Sequence, residues 1–409
     1  MKSEVISLRM ASEHRILLWM CVLVGINQLG FGAMVPSLAL YAQSFGVPAS
    51  AIGLAVGIYG LARFATAVPA GQLSDWIGRR PTLAIGGLVS ALGNLWCARA
   101  GHYPEFIVAR FIAGAGAGLI LTTGQVVLAD ISTPARRART ISIYQGTFLF
   151  AVGLGPLPGG FLGQRVGLAA PFVAYAAAGS LAAVVAWRRL PETKDRRLPV
   201  VPGAASPLPP FTSQLRLLAG RVGFVLVSLV SFVNAVARTG ALFNVIPILG
   251  HDRLALAPDR IGASLALGNL AGFGLAYPSG VLVDRYGRKS VIVPATLVMG
   301  VALVVFLLAP SYPWFLAACA VWGVSQGVSG AAPAAYAADV APPGMNAAAM
   351  SFYRMLADSG YVVGPVVLGL VTDLTGPETA LGVGAALLVV VATVFAWLAP
   401  ESYQSHAGR

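Results

Sequence analysis

Two stretches, "GQLSDWIGRRP" (residues 71–81) and "GVLVDRYGRKS" (residues 280–290), repeat one pattern: a glycine, an aspartate, a second glycine and two basic residues at matching intervals. Asp75 and Asp284 are 209 positions apart. The same offset returns in Ile52-Gly53 and Ile261-Gly262, Tyr103-Pro104 and Tyr312-Pro313, Asp130 and Asp339, Gly155-Pro156 and Gly364-Pro365, and Pro191-Glu192 and Pro400-Glu401. A register held without gaps over that length is an internal duplication. Only the first and seventh apolar stretches depart from it, Pro36 matching Pro247 at 211.

The duplicated material is built for lipid. The chain is 57% hydrophobic and 10% charged, with a mean hydropathy of +0.78, more apolar surface than a water-soluble core can hide. Runs of about 20 apolar residues recur, each long enough as a helix to cross a hydrocarbon layer about 30 Å thick. Helices are the expected form because lipid offers the backbone no other hydrogen-bond partners. Twelve spans are predicted, near 16–40, 50–73, 81–99, 104–128, 141–163, 168–188, 221–249, 261–283, 291–309, 313–337, 347–371 and 379–399. The first follows a mixed-charge stretch and is too long for a signal h-region, so it is expected to stay as a helix.

Six spans per copy preserve sidedness, so the copies are expected to be two six-helix bundles in one orientation, residues 1–189 and 221–409. Residues 190–220 join them; "LPETKDRRLPVVPGAASPLPP" (190–210) is rich in proline and charge and reads as a linker. Of the 27 basic residues, about nineteen fall on the side of the termini and about four on the other, which makes that side cytoplasmic by the positive-inside rule. The formal charge of +12 is therefore a topology signal, and no nucleic-acid partner is expected. Cys21, Cys97 and Cys319 lie singly in apolar spans, and His14, His102, His251 and His406 have no ligand spacing. Neither a disulfide framework nor a metal site is expected, and no cofactor.

The D-x-x-G-R-[RK] loops, "RFIAGAGAG" (110–118) and "GLGPLPGG" (153–160) together resemble the signature motifs of the major facilitator superfamily, and particularly its drug:proton antiporter branches. The likeness covers nearly the whole chain. It implies an all-α membrane protein of two pseudo-symmetric six-helix bundles that rock about a central substrate site, in the cytoplasmic (inner) membrane, acting as a monomer on a small molecule with protons as a second partner. The implied function is proton-coupled efflux; an organic-anion or metabolite carrier is the alternative. An intramembrane enzyme would need facing catalytic groups, whereas the candidates here are dispersed. An ATP-driven pump would need a G-x-x-x-x-G-K-[ST] loop, which is missing.

By resemblance, the loops form a gate: Gly71, Asp75, Gly78, Arg79, Arg80, Asp130 and Arg139 in the first copy, Asp284, Arg285, Gly287, Arg288, Lys289 and Asp339 in the second. Asp75 would cap the helix starting near Met345, and the arginines would bridge to Asp130. Both glycines are read as allowing close approach and a tight turn. The first copy departs from the family in having Trp76 where Arg285 stands in the second.

"RFIAGAGAG" lies inside an apolar helix with no strand before it, which excludes a dinucleotide loop. Its small residues suit close helix packing in lipid. Arg110 is costly at depth; the resemblance gives it a role in proton transfer or in organising the cavity, and snorkelling toward the outer surface near Glu105 is the alternative. Gly153, Gly155, Pro156, Gly159 and Gly160 read either as an antiport motif or as a tight helix crossing. Arg63, Arg110, Arg238 and Arg354 lie within spans and only one acid, Asp358, does, which disfavours a multiply cationic substrate. Asn27 and Gln28 supply neutral polar groups to the first span. Arg354 and Asp358, four residues apart, share a helical face, either as a proton-coupling pair or as a permanent ion pair. Arg63 belongs to the cavity wall or to the gate.

Overall fold

A computed structural model describes residues 2–132, 137–194, 211–329, 332–342 and 345–401. Among these residues there is helix and no strand. The helices are α1 (Lys2–Gln43), α2 (Ala49–Ala65), α3 (Ala67–Ile77), α4 (Arg79–Arg99), α5 (Tyr103–Ile131), α6 (Arg137–Leu154), α7 (Pro156–Arg165), α8 (Ala170–Arg189) and α9 (Phe211–Ala219). They continue with α10 (Val222–Val236), a π-helix (Ala237–Val245), α11 (Ile246–Leu254), α12 (Pro258–Tyr286), α13 (Lys289–Leu308), α14 (Tyr312–Ser329), α15 (Ala332–Asp339), α16 (Asn346–Thr375) and α17 (Pro377–Leu398).

Among the described residues, ten helices or helix runs are long and apolar enough to cross a membrane, and the bent pair α2 and α3 makes an eleventh. Among the described residues, each of the twelve predicted stretches falls mainly on helix, the eighth on α12. The duplication is also visible in the boundaries: α2 starts at Ala49 and α12 at Pro258, α5 at Tyr103 and α14 at Tyr312, α6 at Arg137 and α16 at Asn346. The register break between the first and seventh spans falls on the span that carries the π-helix, whose wider turns hold more residues per turn than an α-helix.

The breaks have local causes. Pro69 removes the N–H that would meet the Ala65 carbonyl, and the Thr66 hydroxyl donates back to Ala62 O at 2.8 Å, a side-chain bond of the kind that bends helices; α2 and α3 meet at 42°. Its counterpart Pro278 leaves α12 unbroken; Leu275 stands where Thr66 does and offers no hydroxyl. Gly155 and Pro156 likewise interrupt α6 and α7, whereas Gly364 and Pro365 remain inside α16.

The chain divides into two compact units: residues 1–45, 58–200 and 257–266, and residues 46–57, 201–256 and 267–409. In the first, Ile16, Met20, Leu23 and Val24 of α1 pack with Leu83, Ile120, Leu128, Tyr144 and Ala182. Tyr41, Phe106 and Phe172 close one end of it at 5.1–5.7 Å between ring centroids. Small residues set the helix spacing, since a Cβ on Gly93 would strike the Ala113 backbone and one on Gly116 the Ser90 backbone. The second unit repeats the device at Gly268, Gly272, Gly323 and Gly327. Its cores hold Phe306 against Phe315 and Tyr336 against Phe395. Large apolar side chains such as Leu88, Leu92, Val301 and Trp397 face outward, as lipid requires and water would not favour.

Candidate functional site

The turn between α3 and α4 rests on Gly78, whose φ of +104° lies in the region that favours glycine. A side chain there would also collide with the Glu192 carboxylate. That carboxylate accepts from the backbone N–H groups of Arg79 (2.9 Å), Arg80 (3.2 Å), Thr193 (2.9 Å) and Lys194 (2.9 Å). Glu192 thus caps the N-terminus of α4 from beyond the end of α8, satisfying donors that the helix itself leaves open. Burial would raise its carboxyl pKa, but the four N–H groups outweigh that and hold it below the usual carboxylate range.

Arg79 is fully buried within the same turn. Its Nη1 donates to Ser74 O and to Asp75 Oδ1, both at 2.7 Å, and its Nε donates to Asp130 Oδ2 at 2.9 Å. Thr193 Oγ1 donates to the same Asp130 oxygen at 3.2 Å. Arg80 lies over the Trp187 ring, 4.7 Å from its centroid, and Trp76 is exposed. Gly71 departs from expectation. A Cβ there would meet nothing within 4 Å, so close approach does not require this glycine, and the backbone demand falls on Gly78 alone.

The second unit repeats the arrangement. Gly287 has φ +92°, and a Cβ on it would meet the Glu401 carboxylate. Arg288 Nε donates to Asp339 Oδ2 at 3.0 Å and its Nη1 to Val283 O at 3.3 Å. Lys289 Nζ donates to Ala399 O at 2.8 Å, and Arg285 lies over Tyr286. The side chains of Arg139 and Asp284 lie outside the described residues.

A second cluster surrounds Arg110 of α5. The residue is 1% exposed, which excludes snorkelling to a surface, and Glu105 is engaged by Trp96 Nε1 at 2.6 Å and Gly101 N at 2.9 Å. The Arg110 guanidinium lies over the Tyr59 ring at 4.4 Å from its centroid, and its Nη1 donates to Met34 Sδ at 2.9 Å. Tyr59 and Tyr175 share a hydroxyl hydrogen bond of 2.9 Å, and Phe31 stacks on Tyr59 at 5.5 Å. The polarizable ring and sulfur offset part of the cost of burying the cation.

The "GLGPLPGG" stretch packs on two partners. Gly155 and Gly159 meet the backbone of Gly32 and Ala33 in α1, and Gly160 meets Pro258 and Gly262. Gly153 is buried beside them. Among the remaining candidates, Asn27 Nδ2 donates to Gln28 Oε1 at 2.9 Å, both residues buried. Arg63 is half-buried in the last turn of α2, next to the Thr66 break. Arg238 is half-buried in the π-helix, 6.0 Å from the Phe243 ring centroid. Arg354 is exposed and Asp358 half-buried one turn on in α16.

Sequence reasoning missed Glu192, Glu401 and Tyr59. The first two were signalled by the recurrence of Pro-Glu at the 209-residue offset. Tyr59 was signalled by a mismatch, since its counterpart is Gly268.

The family model for the Major Facilitator Superfamily matches residues 20–273 and 227–408. An uncharacterized MFS-type transporter of Methanocaldococcus jannaschii is 22% identical over 371 residues, covering 90% of this chain and 94% of that protein. The class C tetracycline resistance protein of Escherichia coli is 30% identical over 291 residues, covering 66% of this chain and 68% of its own. The multidrug resistance protein MdtL of Shewanella oneidensis is 24% identical over 289 residues, covering 70% of each. Among solved structures, the nucleoside transporter NupG superposes with a TM-score of 0.77 at 14% identity, covering 93% of this chain and 98% of that one.

Proposed function

The chain belongs to the Major Facilitator Superfamily, whose members are membrane transporters and not enzymes, and from that premise we propose that it exports small organic molecules in exchange for protons by alternating access. The observation that carries this reading is the "GLGPLPGG" break, at which α6 and α7 part at Gly155 while their glycines seat on α1. Two relatives bear drug-resistance names, which supports an efflux substrate class. Both termini face the cytoplasm, the two six-helix copies (1–189 and 221–409) rock about a central site, and the monomer is the working unit.

In this reading the Gly78 and Gly287 turns are the gate, because each concentrates a buried or half-buried arginine, an aspartate and a carboxylate beside the glycine, Glu192 in the first and Glu401 in the second, at one helix junction. Arg110 organises the cavity wall from the first unit. Asp358 is the proton carrier, its carboxyl one helical turn from Arg354. An organic-anion carrier is the second reading, favoured by the seating of Arg110 and Arg238 on aromatic rings.

The test is transport in proteoliposomes with an imposed proton gradient, using a lipophilic cation, a neutral tetracycline-like compound and an aromatic carboxylate. Efflux-type exchange that collapses the gradient with the first two supports the proposal. Gradient-independent movement of the carboxylate alone supports the second reading. Asp358→Asn is expected to abolish uphill transport and spare counterflow exchange; retained uphill transport removes Asp358 from the mechanism.

A further inference from the structure

The N-terminus of α2 has no cap of its own. Pro48 precedes it, its first turn carries no acid, and helix starts leave several N–H groups without intrahelical partners. Asp373, near the end of α16, supplies the cap: its Oδ1 accepts from Ala49 N at 2.6 Å and its Oδ2 from Ser50 N at 2.9 Å. All three residues belong to the second unit. Below this contact the two helices run antiparallel along a ridge of close approaches. Gly369 meets Ala49 and Ser50, Gly53 meets the Pro365 carbonyl, and Gly57 meets the Val362 carbonyl. Asn244 of the π-helix donates to the same Pro365 oxygen at 3.2 Å.

The duplication supplies an internal comparison. In the first unit Gly160 meets Pro258, and Gly262 meets Pro156, the same ridge carried forward by 209 positions. At its end, however, Pro258 replaces Ala49 and has no N–H to cap. Asp259 replaces Ser50 and accepts from Arg260 N at 2.7 Å, and Gln164 replaces Asp373. The glycine ridge is therefore shared by both copies, and the charged clasp is confined to one.

We propose that Asp373 is a positioning residue of the transport cycle, a latch that holds the end of α2 remote from the Asp75 turn against α16 and lets go when those helices part. The proposal rests on the alternating-access reading above. A carboxylate on a helix N-terminus is strong enough to bias a two-state equilibrium and too weak to lock it.

Hydrogen–deuterium exchange on the full chain in lipid nanodiscs tests the contact. Asp373→Ala is expected to speed amide exchange in peptides covering residues 46–57 by roughly two- to thirtyfold. Asp373→Asn should give a smaller rise, and peptides of α4 should not change. Unchanged exchange in both variants overturns the proposal. A Val366→Cys reporter on the ridge, labelled by an impermeant maleimide from the face opposite the termini, tests the function. Faster labelling in Asp373→Asn, with slowed turnover, is the expected result. Faster exchange with unchanged labelling and turnover would leave a cap that is no latch, and overturns the proposal while alternating access stands. If Val366→Cys with Asp373 intact labels at the same rate with and without a proton gradient, and with and without each of the three test compounds, alternating access itself fails and takes the latch with it.

Discussion

The Arg110 guanidinium lies 4.4 Å from the centroid of the Tyr59 ring, and their counterparts 209 positions on are Cys319 and Gly268. There, Gly268 approaches the Cys319 carbonyl so closely that no side chain fits. One pair of positions thus joins its helices by a buried cation in the first unit and by bare backbone approach in the second. A duplicated scaffold has been given a charge on one side only.

That relationship orders three variants. Tyr59→Phe keeps the ring and loses the Tyr175 hydrogen bond, a cost of about 1 kcal/mol. Tyr59→Leu also strips the cation of its aromatic face, adding about 2 kcal/mol in a desolvated setting. Arg110→Lys is expected to abolish transport while leaving a folded protein, because an ammonium lacks the planar group that spreads over the ring. Thermal unfolding in detergent and uptake by proteoliposomes check the order; equal stability of the two Tyr59 variants would refute it.

The Glu192 cap predicts a pH dependence. Its folded pKa lies below the unfolded value, so its contribution is complete above the unfolded carboxylate pKa and is lost as pH falls through the lower folded value. Glu192→Gln should cost about 0.5–1 kcal/mol at neutral pH, the low end for a cap because the site is partly exposed and screened. The difference from the parent should shrink on acidification below about pH 4. Stability curves for both proteins across that range provide the check.

Burial separates the two arginine–aspartate pairs. Arg79 and Asp130 are 1% and 6% exposed, whereas Arg288 and Asp339 are 18% and 34% exposed. Asp130→Asn is expected to destabilise by about 3 kcal/mol, since it weakens the pairing of a buried charge. Asp339→Asn should cost about 1 kcal/mol or less. Chemical denaturation of the two single variants measures the contrast directly, and equal costs would contradict it.

Glycine substitutions in α6 and α7 should diverge within one stretch. A Cβ on Gly159 would strike the Ala33 backbone, while one on Gly146 meets nothing within 4 Å. Gly159→Ala is expected to lower expression and transport sharply because backbone cannot yield as a side-chain end can. Gly146→Ala should be neutral or stabilising by about 0.5–1 kcal/mol. Fluorescence-detected size exclusion together with uptake assays distinguishes them.

The sequence alone determined the placement of the membrane spans, the duplication and its 209-residue register, and the charged loop residues, because hydropathy, periodicity and repetition are properties of contiguous chain. It also placed Arg110 at depth. Tertiary structure decided what those residues touch. Glu192 caps a helix that begins 113 positions earlier, and Asp373 caps one that begins 324 positions earlier; no local pattern encodes such a pairing, since an open helix N-terminus accepts a carboxylate from anywhere in the chain. The bends were decided the same way. Pro69 and Pro278 occupy matching positions, yet only the first lies at a break, where the Thr66 hydroxyl and the close approach of Gly118 meet. A proline removes one hydrogen bond wherever it stands, and the neighbours determine whether the helix bends there.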